Sequence, residues 1–188
     1  AVCKELDQYG FPLLEVNISC GVSNGVHGYI TRNLQHIEQV CSELKSAGIR
    51  TPIALKLGHS DGIVELAGIA KEAGADAITA INTFGPVFDF RIGSDGTPGR
   101  IVGAQGAKGG LSGSAVFHMA LTDVAEISRQ INIPVLASGG VMNAERAVKM
   151  IMAGASLVQL YTVLHEKGIN APAALSRLTR EMLSYMEQ

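Results

Sequence analysis

The sequence predicts an α/β protein of parallel strands, each followed by a helix, with its chemistry gathered at one end of the sheet. Three observations lead there. Short apolar runs bounded mostly by Gly, Pro or Asn alternate with amphipathic segments along the 188 residues, as expected of parallel strands buried on both faces. Polar residues and glycines stand at the C-terminal tips of these runs, where the loops of parallel α/β proteins carry ligands and catalytic groups. Composition agrees: 47% of residues are hydrophobic and only 17% charged. A chain of this length buries a full core, and so low a charge fraction excludes disorder or a coiled coil.

The chain opens at Ala1 in what reads as the end of a helix, so residues upstream of it are expected. The first strand, 13–19, carries Leu14, Glu15 and Val16 into Asn17, Ser19 and Cys20; a helix near 33–47 follows. The second strand, 52–58, runs through Ile53, Ala54 and Leu55 to Lys56. Asp61 reads as the N-cap of the next helix, in which Ile63, Leu66, Ala67 and Ala70 share one face before the stop near Gly74. The third strand, 77–83, ends at Asn82 and Thr83.

Residues 84–111 break the alternation. This long connection is rich in glycine and reads as a loop without secondary structure, either a lid or binding loop or a plain surface insertion. A helix over 114–131 then leads to the strand 134–140, which ends at Ser138, Gly139 and Gly140. Asn143 caps a helix expected to bury Ala147, Val148, Ile151 and Met152 and to stop at Gly154. The last strand, 157–162, ends at Tyr161 and Thr162, and a helix over 171–186 follows.

Five βα units are visible, whereas a closed parallel barrel needs eight. An open, doubly wound five-stranded sheet is the alternative, and periodicity does not choose between them. Function-like residues end every strand rather than clustering at one switch point, which favours the barrel.

Charge and cysteine usage narrow the function. A formal net charge of −2 and the absence of any basic run give no reason to expect nucleic acid. Three cysteines without CxxC or His-rich spacing imply reduced thiols in a cytoplasmic setting, with no metal site. No apolar stretch reaches the roughly 18 residues of a membrane helix, and no signal peptide is read at the start.

Cys20 stands directly after a strand. A thiol with a pKa of about 8.5 can accept a proton where its surroundings favour the thiolate; a buried structural cysteine is the alternative. Asn17 and Asn82 each offer donors and acceptors, which suits a ligand edge that alternates the two; an amide satisfied within its own turn is the alternative. Lys56 ends an apolar strand, a costly place for an ammonium unless it meets an anion or snorkels to water. Gly139 and Gly140 precede a helix N-terminus, where main-chain N–H groups hold phosphate. Many parallel barrels bind phosphate after their last two strands, so a phosphate-binding isomerase or synthase shares this half of the pattern.

Leu14-Glu15-Val16-Asn17-Ile18-Ser19-Cys20, Ile81-Asn82-Thr83, Gly109-Gly110-Leu111-Ser112-Gly113, Ser138-Gly139-Gly140-Val141 and the stretch from Gly154 to Thr162 resemble the dihydroorotate dehydrogenase family. The resemblance implies an FMN-binding (β/α)8 TIM-barrel fold, with residues 1–188 forming a single partial domain that covers about strands 4 to 8. It implies oxidation of dihydroorotate to orotate in pyrimidine biosynthesis. Cys20 would be the general base that removes the proton from C5 while a hydride leaves C6 for the flavin. Asn17, Asn82 and Thr83 would hold the substrate, and Asn17 would also touch FMN. Lys56 would lie near the flavin N1 and C2 carbonyl, Ile81 alongside the cofactor, and Gly113, Gly139, Gly140, Tyr161 and Thr162 around its phosphate.

The pattern also departs from the family. Gly21-Val22 stand where Pro-Asn is usual, which makes Asn24 the candidate for the displaced substrate contact. Cys20 is typical of the soluble class 1 enzymes and Tyr161 of class 2. Asp95-Gly96-Thr97-Pro98 is faintly similar to the related dihydropyrimidine dehydrogenases, or is an ordinary turn. The electron acceptor (fumarate, NAD or quinone) stays open, as does a partnership with a second copy or an electron-transfer subunit.

Overall fold

The computed structural model describes residues 1–19, 34–100 and 108–187. After a short helix α1 (Val2–Leu6), five strands form one parallel sheet: β1 (Leu14–Asn17), β2 (Ile53–Leu57), β3 (Ala77–Ala80), β8 (Val135–Ser138) and β9 (Leu157–Gln159). Helices α2 (Leu34–Ser46), α3 (Ile63–Glu72), α4 (Phe117–Gln130), α5 (Ala144–Met152), α6 (Thr162–Lys167) and α7 (Ala171–Met186) connect or follow them.

Strand order decides between the two architectures. The sheet runs β1-β2-β3-β8-β9, so each strand lies beside its predecessor in the parallel sheet. A doubly wound sheet reverses direction at a switch point, whereas a barrel wall does not. The sheet is therefore a stretch of barrel wall, and among the described residues β1 and β9 each pair on one side only.

The period of two along each strand separates two faces. Leu14, Ile53, Leu55, Leu57, Ile78, Ala80, Val135 and Ala137 point to the helices and join the main core with Leu66, Ala67, Ala70, Phe117, Val124, Ile127 and Met150. On the other face Ala54, Ala77 and Leu136 form a separate small cluster with Leu13 against it. Two residues further along their own strands on that inner face stand Lys56, Thr79 and Ser138, with Glu15 opposite Ala54, Asn17 opposite Lys56 and Gln159 opposite Ser138. At the opposite, N-terminal end, carboxylates tie strand starts to backbone. Asp7 accepts from the Thr51 N–H and hydroxyl (both 2.7 Å), and Asp76 accepts from the Ile53 N–H (2.8 Å).

Several expectations need correction. Residues 84–111 are not a structureless loop: β4 (Phe84–Phe88) pairs antiparallel with β7 (Lys108–Leu111), and β5 (Phe90–Ile92) with β6 (Pro98–Arg100). Alternating Phe84, Phe88, Phe90 and Ile92 supply the β-propensity that the many glycines concealed. Asp95-Gly96-Thr97 is the turn between β5 and β6; the Asp95 carboxylate accepts from the Thr97 N–H and hydroxyl, and Gly96 has φ +77°. Asp61 is not the cap of α3. Gly62 is, and the Ser60 hydroxyl accepts from its N–H at 3.2 Å. Asn143 does cap α5, its side chain accepting from the Arg146 N–H at 3.0 Å. In α5, Met150 is fully buried and Met152 is 81% exposed, because the buried stripe runs Ala144, Ala147, Met150 and leaves the last residue on the outer side.

Candidate active site

At the C-terminal end of the sheet, on its inner face, lies a cavity of about 540 Å³, within the range of roughly 300–1,000 Å³ usual for small-molecule sites. Nine of the residues singled out from the sequence line it: Lys56, Ile81, Asn82, Thr83, Gly113, Gly139, Gly140, Tyr161 and Thr162. They come from the tips of β2, β3, β8 and β9 and from the turn after β7. Cys20 and Asn24 lie outside the described residues.

Asn17 and Asn82 meet each other. The Asn82 amide donates to Asn17 Oδ1 (3.1 Å) and to Ser19 Oγ (2.7 Å), while its own oxygen accepts from the Thr83 N–H (2.8 Å). Asn17 Oδ1 also accepts from the Ser19 N–H and hydroxyl. Ser19, bonded to Asn82, is 2% exposed. Gly110 seats Thr83: a Cβ there would fall 2.2 Å from Thr83 Oγ1, so only glycine permits this approach.

Lys56 sits in a polar floor that sequence reasoning did not identify. Its ammonium donates to Glu15 Oε1 (3.0 Å) and Gln159 Oε1 (3.1 Å). Glu15 Oε2 accepts from the Gln159 amide (2.6 Å) and the Thr79 hydroxyl (2.7 Å). Burial alone would push the Glu15 carboxyl up, but the bonds from Gln159, Thr79 and Lys56 outweigh it and hold the group below its ordinary value. An ammonium has three donors; two serve the floor, leaving one for an acceptor in the cavity. The available signal was spacing. Glu15 lies two residues before Asn17, so both share the inward face of β1, and a carboxylate inside an apolar strand requires a partner.

Three tips close the other end of the cavity. A Cβ on Gly113 would come within 3.2 Å of the Thr162 side chain, and one on Gly140 within 2.7 Å of the Phe117 nitrogen and 2.8 Å of the Gly113 carbonyl. Both glycines have positive φ, +71° and +68°. Glycine is thus required here by dense packing of the turns against each other as well as by backbone conformation. Among the described residues no acceptor takes the N–H of Gly140 or Val141. These amides and the spare Lys56 donor form a set of free donors that suits an anionic ligand such as a phosphate.

His59, in the loop after β2, sits beside this region without lining the cavity. Its Nδ1 lies 2.8 Å from Asp123 Oδ2, and its ring is 5.6 Å from that of Phe84. Burial pushes the Asp123 carboxyl up, more than the bond to His59 pulls it down. Among the described residues no group of three His, Cys, Asp or Glu side chains converges as a metal site, and no helix is long and apolar enough to cross a membrane.

Comparison with known proteins bears on this geometry. The sequence model of the family described as dihydroorotate dehydrogenase matches residues 1–186. A relative from Sulfolobus acidocaldarius, named dihydroorotate dehydrogenase B (NAD(+)), catalytic subunit, is 35% identical over 163 residues, covering 84% of this chain and 51% of that protein. Its namesake from Methanocaldococcus jannaschii is 29% identical over 189 residues, covering 100% of this chain and 58% of that protein. The chain thus spans about half the length of these relatives. In fold it is similar to the DHODH of Eimeria tenella, solved in complex with ferulenol, with a TM-score of 0.72 and 19% identity, covering 99% of this chain and 54% of that one.

Proposed function

The chain belongs to the dihydroorotate dehydrogenase family, and from that premise we propose that it forms the flavin- and substrate-binding half of an enzyme oxidising dihydroorotate to orotate in pyrimidine biosynthesis. The observation that carries this reading is the cavity in which Lys56, Asn82, Thr83 and the Gly113, Gly140 and Thr162 tips meet. Flavin mononucleotide, when bound, supplies the acceptor for the hydride that leaves C6 of the substrate.

The chain's own residues have separable tasks in this proposal. Lys56, anchored by Glu15 and Gln159, turns its remaining N–H toward the carbonyl end of the isoalloxazine. Asn17 and Asn82, already bonded to each other, present amide edges to the pyrimidine ring, and Thr83 and Ser19 keep them in register. Cys20 takes the C5 proton as thiolate, following directly on Ser19 in sequence; Asn24 supplies the substrate amide that Gly21-Val22 do not provide. Gly113, Gly139, Gly140, Tyr161 and Thr162 surround the phosphate, and Ile81 supports the ring.

The relatives' name specifies NAD(+) and a catalytic subunit. We therefore propose NAD⁺ as the final acceptor, reached through a companion electron-transfer subunit in the cytoplasm. The test is turnover of dihydroorotate by the intact protein and by Cys20→Ala and Cys20→Ser. The expected loss is on the order of 10²–10⁴-fold. Undiminished turnover in both variants removes Cys20 from the reaction, and a colourless protein without flavin absorbance favours a phosphate-binding isomerase or synthase instead.

A further inference from the structure

Arg146 stands behind the cavity rather than in it. It occupies the third position of α5, where helices favour acidic side chains because the N-terminal turn is itself electropositive. Its guanidinium donates to the Gly140 carbonyl and the Ser114 hydroxyl, both at 2.8 Å, and lies 4.6 Å above the Phe117 ring. It therefore bonds across two of the three tips, the turn after β7 and the turn after β8. Among the described residues no carboxylate makes a salt bridge to it; its neighbour Glu145, which also feels the Arg146 charge, pairs with Lys149. A half-buried cation at an electropositive helix end, without a carboxylate partner and beside amides that no described residue takes up, fits an anion delivered by a ligand.

We infer that Arg146 is a positioning residue for that anion: it locks the Gly113–Ser114 and Gly139–Gly140 turns together and adds charge behind them, so that the cavity selects a phosphorylated flavin over its unphosphorylated form. By occupying the Gly140 carbonyl, the guanidinium fixes the orientation of the peptide joining Gly140 to Val141, and with it the amide of Val141. The inference rests on the reading of the cavity as a flavin mononucleotide site.

The experiment measures binding of FMN and of riboflavin to the flavin-free intact protein, with the thermal midpoint before flavin is added. Arg146→Met weakens FMN about tenfold, as expected for a charge-assisted contact, and changes riboflavin by less than about twofold. Arg146→Lys, which keeps the charge but not the planar guanidinium that lies over the Phe117 ring, falls between wild type and Arg146→Met. Ser114→Ala, which removes one of the two acceptors, costs less than Arg146→Met. Equal losses for both flavins, or a fall in the flavin-free midpoint with an unchanged FMN-to-riboflavin ratio, make Arg146 a structural brace and overturn the assignment. Unchanged FMN affinity overturns it as well. A wild-type protein that binds neither flavin overturns the reading of the cavity and this assignment with it. Should Arg146→Met fail to fold, Arg146→Lys and Ser114→Ala carry the same comparison.

Discussion

The five-stranded sheet has two faces built from the same strands under different demands. The face toward the helices, with Leu14, Leu55, Leu57, Ile78 and Val135, is apolar along its length and closed by α3, α4 and α5. The inner face changes character within two residues, from Ala54, Ala77 and Leu136 to Lys56, Thr79 and Ser138. Leu55 and Lys56 are chain neighbours, yet one is fully buried in the core and the other lines the cavity. The difference teaches that stability and chemistry are assigned to opposite faces, so mutations one residue apart should damage different properties.

The largest expected effect sharpens this contrast at its functional pole. Lys56→Met lowers dihydroorotate turnover about 100-fold, the usual scale for losing one preorganised charge at a reacting centre, with a much smaller change in denaturation midpoint. Leu55→Ala does the reverse. It costs about 2–5 kcal/mol of stability by leaving a cavity, read from chemical denaturation, while activity per folded molecule stays near wild type. A stability loss in Lys56→Met as large as that in Leu55→Ala breaks the division between the faces.

Two smaller effects concern carboxylates, one partly exposed and one buried, whose shifts oppose each other. The Glu15 carboxyl is held below its ordinary value of 4.5, so it contributes stability above that pH and loses the contribution as pH falls through the folded-state value. Glu15→Gln therefore removes part of the rise in stability on the acid limb. The Asp123 carboxyl is pushed above 3.8; its contribution is present below that pH and lost as pH rises through the folded-state value. Asp123→Asn therefore changes the acid-limb slope in the opposite sense. Urea midpoints between about pH 3 and 6 separate the two, and slopes changing in the same direction contradict the assigned hydrogen bonding.

Much of the fold is legible in the sequence because burial on both faces leaves a plain mark: apolar runs such as Ile53–Leu55 and Val135–Ala137 survive as strands within one or two residues of expectation. At the strand tips, nine of the residues singled out from the sequence share one cavity. The excursion between Thr83 and Ser112 is harder to read because its glycines mask antiparallel pairing. Met152 is exposed against expectation because periodicity does not say where a buried stripe ends. Glu15 and Gln159 escape notice for a subtler reason. Each looks like a stray polar residue in its own strand, and only the side-chain bonds made across the inner face reveal them as partners of Lys56.

The central claim is that the polar end of the inner face holds a flavin with Lys56 beside its carbonyl end. The most direct measurement is the reduction potential of bound flavin in wild-type protein and in Lys56→Met. A positive charge at that end favours the reduced, more negative flavin, so the substitution is expected to lower the two-electron potential by about 30 mV or more, equivalent to about 1.4 kcal/mol. A potential unchanged by the loss of Lys56, with flavin still bound, contradicts the account.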